Sequence, residues 1–216
     1  LLGNDKANID RDFIEFGNKC RDGKCSKAEK LLIYFTDNGE PVLSHNKPVG
    51  GEVTLDEAFE YISHIKNVKI NVDVKTCDAL YKVYSSAQKY GVENRIFYTG
   101  IKDEFVEYVK KDSPEVPYYL NVSVKKTKKN DKEYLMTLVN KVKDAGAIGI
   151  NFNHKAASEM LVNVFQENGL EVSIWTVDTG LKMRKILSFA PNNITTRKPD
   201  KLRKKVKNIS KNFSRN

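Results

Sequence analysis

Short apolar runs rich in β-branched and aromatic residues alternate along the chain with longer stretches whose apolar positions recur at helical spacing. The first kind predicts strands at Leu1–Gly3, Leu31–Thr36, Val68–Asp73, Arg95–Thr99, Tyr118–Ser123, Ala147–Asn153, Glu171–Val177 and Asn193–Thr195. The second predicts helices near Asp10–Asn18, Leu55–Ile65, Ala79–Tyr90, Lys102–Lys111, Asp131–Ala145, Ala156–Asn168 and Leu181–Phe189. Strands that alternate with helices build a mostly parallel sheet, because parallel neighbours need a crossover. Eight such strands match a (β/α)8 TIM barrel, and a doubly wound open sheet is the alternative.

Turn chemistry supports these boundaries. Thr54-Leu55-Asp56-Glu57 reads as a capping box that opens a helix. Gly91, Gly146 and Gly169 each stand where a helix hands over to the next strand, as C-terminal caps do. Pro199 suits the start of a last helix. Residues 1–200 are expected to form the barrel, followed by a basic tail over 201–216 that is poor in apolar residues after Val206 and expected to fray.

Composition narrows the class. With 216 residues, 40% hydrophobic and 10% aromatic, the chain can bury a sizeable core. No apolar run reaches the ~18 residues that span a bilayer, and no signal peptide is recognisable. A net charge of +9 favours anionic partners, including lipid head groups at a membrane surface, although a lysine-rich solvated surface explains it equally well. Nucleic-acid binding has only that charge behind it, with no motif. A bridge between Cys20 and Cys25 would close a short loop and contribute roughly 2 kcal/mol, leaving Cys77 free. Sequons at Asn121, Asn193, Asn208 and Asn212 lean towards a secreted or cell-surface location without establishing it. Nucleophile elbows, P-loops, dinucleotide fingerprints and Cys/His metal spacings are all absent from the sequence.

Barrel chemistry gathers at the C-terminal ends of strands. That edge is predicted to hold Asn4, Asp5, His45, Asp73, Lys75, Thr99, Ser123, Asn151, Asn153, His154, Trp175 and Thr196. The loop after the fifth predicted strand adds Lys125, Lys126, Lys128 and Lys129. Thr36-Asp37-Asn38-Gly39-Glu40-Pro41-Val42-Leu43-Ser44-His45-Asn46 reads as a strand, a tight turn and a short strand that carries His45 to its end. Asp73 and Lys75, two apart, share one face of their strand and suit either an ion pair or a phosphate contact. Trp175 suits either core packing or a ligand floor, and His64 reads as structural.

In this order, the His45 turn, Asp73-Val74-Lys75 and Val172-Ser173-Ile174-Trp175-Thr176-Val177 resemble the glycerophosphodiester phosphodiesterase superfamily, which includes the phospholipase D toxins of spiders. The resemblance implies a PLC-like phosphodiesterase barrel acting as a phosphoric diester hydrolase in lipid metabolism. It also implies two catalytic histidines, a divalent metal on carboxylates that polarises the phosphoryl oxygens, a lysine and an aromatic floor. On this match His45 and Lys75 are the surviving catalytic positions. Trp175 takes the substrate-binding floor and Asp73 a metal-ligand position, while the four loop lysines, by their place on the rim, suit either substrate binding or a solvated loop.

Several positions depart from the pattern. Asn4 occupies the place of the first histidine, Ala7 that of a glutamate, and Lys30 and Leu32 those of the metal-binding Glu-x-Asp pair. Glu29 reaches that region only with a slipped register. Thr196 replaces the aspartate of the closing Ile-Thr-Asp-x-Pro. Loss of one acid–base histidine alone costs ~10²–10⁴-fold in rate. The resemblance therefore leads to a degenerate member, a pseudoenzyme without a cofactor that binds an anionic or phosphodiester ligand. Two alternatives remain open. One is an active phosphodiesterase on glycerophosphodiesters or lysophospholipids, with Mg²⁺ or Ca²⁺ held by Asp73 and Asp5. The other is a surface domain that binds a polyanion through its basic rim.

Overall fold

The computed structural model describes residues 55–65 and 69–213, which fall into two compact units dividing after Tyr118. The first holds α1 (Leu55–Ser63), β1 (Ile70–Asp73), α2 (Ala79–Lys89), β2 (Ile96–Ile101) and α3 (Val106–Asp112). β3 (Tyr118–Asn121) begins at its last residue. β1 and β2 run parallel, with Ile70 opposite Ile96 and Asp73 opposite Thr99. Side chains alternate across a strand, so Ile70, Val72, Ile96 and Tyr98 point to one face and are buried there. Phe59, Ile62, Leu80 and Val83 from α1 and α2 are buried as well. Asp56 ties these helices together by accepting from Ser86 Oγ and, at 2.6 Å, from Lys89 Nζ.

The second unit continues with α4 (Lys132–Ala145), β4 (Gly149–Asn153), α5 (Glu159–Glu167), β5 (Glu171–Trp175), α6 (Gly180–Ser188), β6 (Asn193–Ile194) and α7 (Pro199–Phe213). β3 is parallel to β4, β4 to β5, and β5 to β6. Ile150, Phe152, Val172 and Ile174 lie on one face of these strands at zero exposure. Leu135, Val139, Leu161, Val162, Phe165 and Met183 of the flanking helices are equally inaccessible. Each such side chain contributes about 1.5–3 kcal/mol through burial. A Cβ at Gly149 would run into the backbone of Glu171, so only glycine allows β4 and β5 this close at that rung.

Caps frame the helices. Asp131 accepts from Tyr134 N at 3.1 Å to open α4, and Gly146 closes it at φ 75°. Ser158 opens α5 by accepting from Leu161 N at 3.2 Å. Gly91 and Gly169 also take positive φ, as their place before strands requires.

All six predicted strands that fall on described residues are present, and within each unit neighbouring strands follow chain order. The fold is thus α/β with parallel strands. The predicted strands Leu1–Gly3 and Leu31–Thr36, the helix Asp10–Asn18, Thr54 and the Cys20–Cys25 pair lie outside the described residues. One expectation is corrected. The basic tail does not fray from Lys201 but continues to Phe213 as α7, packed on α6. Its lysines and arginines are good helix formers, and Pro199 with Asp200 suits the first turn. No helix among the described residues is long and apolar enough to cross a membrane.

Candidate functional site

In the first unit the chemistry collects where β1 ends. The Asp73 carboxylate accepts from Lys75 Nζ at 2.5 Å, with Asp73 18% and Lys75 49% exposed. Gly100, at φ 83°, allows this approach. A Cβ there would overlap the Val74 carbonyl and come within 2.6 Å of Asp73 Oδ1. One rung below, buried Asn71 accepts from Thr99 Oγ1 at 2.8 Å, and its amide nitrogen has no partner. The sequence-predicted pair is therefore an ion pair first.

Among the described residues, the donors at the end of β1 do not by themselves make a divalent-metal site. Mg²⁺ and Ca²⁺ need several anionic oxygens, whereas Asp73 is one carboxylate already matched by an ammonium. Among the described residues no group of three acidic, histidine or cysteine side chains converges.

The second unit presents a polar ladder on the face opposite its apolar core. Asn193 Nδ2 donates to Ser173 Oγ at 2.9 Å, Ser173 Oγ donates to Asn151 Oδ1 at 2.8 Å, and Asn151 Nδ2 donates to Asn121 Oδ1 at 2.5 Å. These four residues occupy one register across β3, β4, β5 and β6. One rung below, Tyr119 OH donates to the Glu171 carboxylate, and burial together with that carboxylate pushes the phenol far above its ordinary pKa. One rung above stand Asn153 and Trp175, side by side at the strand ends. Here the saturation stops. Trp175 Nε1 is buried without a hydrogen-bond partner.

His154 follows Asn153 in a single helical turn closed by Asn153 Oδ1, which accepts from Lys155 N at 3.0 Å. Both ring nitrogens are buried and unpartnered. Burial is the main cause that holds its pKa below the ordinary histidine value, and Lys182 and Lys155 add to it. Hydrogen bonding to the Trp175 backbone and the charge of Asp178 act the other way. Asp178 is committed elsewhere. It accepts from Arg197 N at 2.9 Å and lies 3.4 Å from both Arg197 Nη1 and Thr196 Oγ1. Asp178 thus organises the loop that carries Thr196 and Arg197.

The lysine loop occupies the same strand-end edge of this unit. Lys125 N donates to Tyr134 OH at 3.1 Å, and Lys128 lies 3.4 Å from Asp131 and over the Tyr134 ring. Lys129 is anchored through its carbonyl, which accepts from Ser158 Oγ at 2.7 Å. Lys125 and Lys126 are exposed. Ser123 is exposed too, as is His64 just past α1. Asn4, Asp5, Glu29, Lys30, Leu32 and His45 lie outside the described residues. Asp178 and Lys182 escaped the sequence reading, although Asp178 follows Trp175 by only three positions.

Comparison with known proteins agrees with this geometry. The chain matches the Glycerophosphoryl diester phosphodiesterase family over residues 36–201. A glycerophosphodiester phosphodiesterase from Parabacteroides distasonis ATCC 8503 has a similar structure, with TM-score 0.63 at 12% identity, 97% of this chain and 92% of that one being covered. An Oleispira antarctica phosphodiesterase, solved with the product sn-glycerol-3-phosphate, gives 0.59 at 13% identity over 82% and 84%. A Silicibacter pomeroyi DSS-3 protein assigned the same activity gives 0.59 at 16% identity over 70% of this chain. The chain spans only 55% of that protein's length. At these identities the likeness establishes the fold. No curated protein matches the sequence.

Proposed function

Because the chain belongs to the glycerophosphoryl diester phosphodiesterase family, we propose that it is a non-catalytic member, folded as the family's (β/α)8 barrel, that binds phosphate-bearing ligands. The departures at Asn4, Lys30 and Leu32 carry the non-catalytic half of this reading, and Lys75 supports the binding half. Lys75, half exposed beside Asp73, is able to meet a phosphate oxygen. Asn4, Lys30 and Leu32 remove the first histidine and the acidic pair at the matching positions. Without a metal to polarise the phosphoryl group, or a second histidine to move a proton, hydrolysis lacks its two main contributions.

Binding needs less than catalysis. Fixed cationic groups at strand ends suffice for a phosphate monoester or diester. Lys75 offers one in the first unit, and Lys125 and Lys126 offer others in the second. A polyol phosphate of the kind bound by the Oleispira protein is the ligand class we assign.

Hydrolysis of glycerophosphocholine and lysophosphatidylcholine, with Mg²⁺ or Ca²⁺ and with EDTA, beside a His45→Ala control, tests the reading. We expect no turnover from the folded protein under any of these conditions. Metal-dependent turnover abolished in the control would overturn it in favour of an active enzyme with a rearranged site at Asp73 and Asp5.

A further inference from the structure

Positive charge is segregated along the chain. Residues 180–213 hold eleven lysines and arginines and a single acid, Asp200, while the net charge of the whole chain is +9. The remainder is therefore close to neutral, and the excess sits on α6, α7 and the segment that joins them. In α6, Met183 and Ile186 turn inward and are buried, whereas Leu181, Arg184 and Lys185 are exposed on one face. α7 packs alongside, and Lys201 and Lys204 are exposed on it. A Cβ at Gly180 would come within 3.3 Å of Lys201 Cε and 3.6 Å of Lys205 Cε, so both lysine stems cross the first turn of α6 beside Leu181. Among the described residues no ion pair engages these cations, in contrast with Arg197, 3.4 Å from Asp178. Leu181 itself is 75% exposed, more than any other large hydrophobic residue among those described. A lone exposed leucine is ordinary, but one framed by unpaired cations is not. Near the other end of α6, Lys185 lines a hollow with Glu159 and with Met160, which is 42% exposed.

We propose that the α6–α7 face docks the chain on a lipid bilayer with anionic head groups. Leu181 enters the head-group layer, and the surrounding lysines and arginines meet the lipid phosphates. A cationic helix face that carries an exposed apolar side chain matches such a surface on both counts. A soluble polyanion would use the charges and leave the leucine in water, so Leu181 is the feature that selects the membrane. Like charges held this close repel one another in the isolated chain, and an anionic surface relieves that repulsion. Both helices begin shortly after strand ends, α6 following Trp175 and α7 following Ile194. Docking therefore brings the strand-end edge of this unit close to the lipid. The proposal is independent of which ligand that edge binds.

The test is co-sedimentation with vesicles of phosphatidylcholine alone and of phosphatidylcholine mixed with phosphatidylglycerol, with heparin binding measured beside it. Melting curves check that each variant is folded. The wild type should bind the anionic vesicles, leave the neutral ones, and be largely released by about 0.5 M salt. Leu181→Ser, at a side chain too exposed to disturb the core, should weaken vesicle binding about tenfold and leave heparin binding unchanged. Replacing Arg184, Lys185, Lys201 and Lys204 by alanine should weaken both, the vesicles by about a hundredfold. Replacing Lys125, Lys126, Lys128 and Lys129 removes as much charge elsewhere and should cost markedly less. Failure of the wild type to bind anionic vesicles would overturn the proposal. So would a Leu181→Ser variant that binds them as the wild type does, because the face would then be a site for soluble polyanions. Equal losses from the loop and helix variants would overturn it as well, since binding would follow net charge and not this face.

Discussion

His154 shows how burial at one residue becomes a pH dependence of the whole protein. Its folded-state pKa lies below the ordinary value of about 6.5, mainly because the ring is desolvated. Above pH ~6.5 neither folded nor unfolded chain holds the proton, and the residue contributes nothing to pH dependence. As pH falls through that value the unfolded chain takes up the proton first, and the native state loses stability until the folded pKa is reached. Melting temperature should therefore fall more steeply below pH ~6.5 for the wild type than for His154→Gln. Superimposed curves would mean that the ring titrates as if in water. The Asp73–Lys75 pair predicts the opposite kind of result. With Lys75 half exposed, the pair is worth at most about 1 kcal/mol. Asp73→Asn should therefore unfold in urea within that margin of the wild type.

Two local features of the second unit carry more stability than their size suggests. Ser158 accepts from Leu161 N to cap α5 and donates to Lys129 O across to the lysine loop. Ser158→Ala removes the cap and strands a carbonyl, and should lower the unfolding free energy by about 1–2 kcal/mol in a urea titration. No measurable change would mean that water replaces both bonds without penalty. At Gly149 the added methyl of Gly149→Ala meets the Glu171 backbone, which cannot turn aside as a side chain can. The loss should equal or exceed the ~1–3 kcal/mol of ordinary overpacking. Gly91→Ala, with open space around its Cβ, should cost less and reflect its positive φ alone.

At the scale of the whole molecule the formal charge of +9 sets the approach of anions. Replacing Lys125, Lys126, Lys128 and Lys129 by alanine lowers that charge by four at the strand-end edge. Affinity for sn-glycerol 3-phosphate should fall, and it should become less sensitive to salt between about 0.05 and 0.5 M, where screening shortens from over 10 Å to a few ångströms. The melting temperature should move little, because Lys125 and Lys126 are exposed and the pairing of Lys128 with Asp131 is a surface contact. An unchanged affinity would remove the loop from the binding surface.

Periodicity alone placed six strands and the helices between them, because a buried parallel strand must be apolar along its run and each crossover helix must be amphipathic. Gly146 and Gly169 were legible because few other residues tolerate the left-handed turn at a helix end. The pairing of Asp73 with Lys75 was legible as well, since two residues apart on a strand share a face. The cross-strand ladder from Asn121 to Asn193 could not be read along the chain. Its partners are about twenty to thirty positions apart, and only the strand register brings them together. The solvated appearance of the 201–213 segment hid a helix whose docking on α6 is a tertiary matter. The same holds for His154. Its residue type announces chemistry, but only folding removes water from both ring nitrogens and engages Asp178 with Arg197, and burial and partnership are properties of the packed chain.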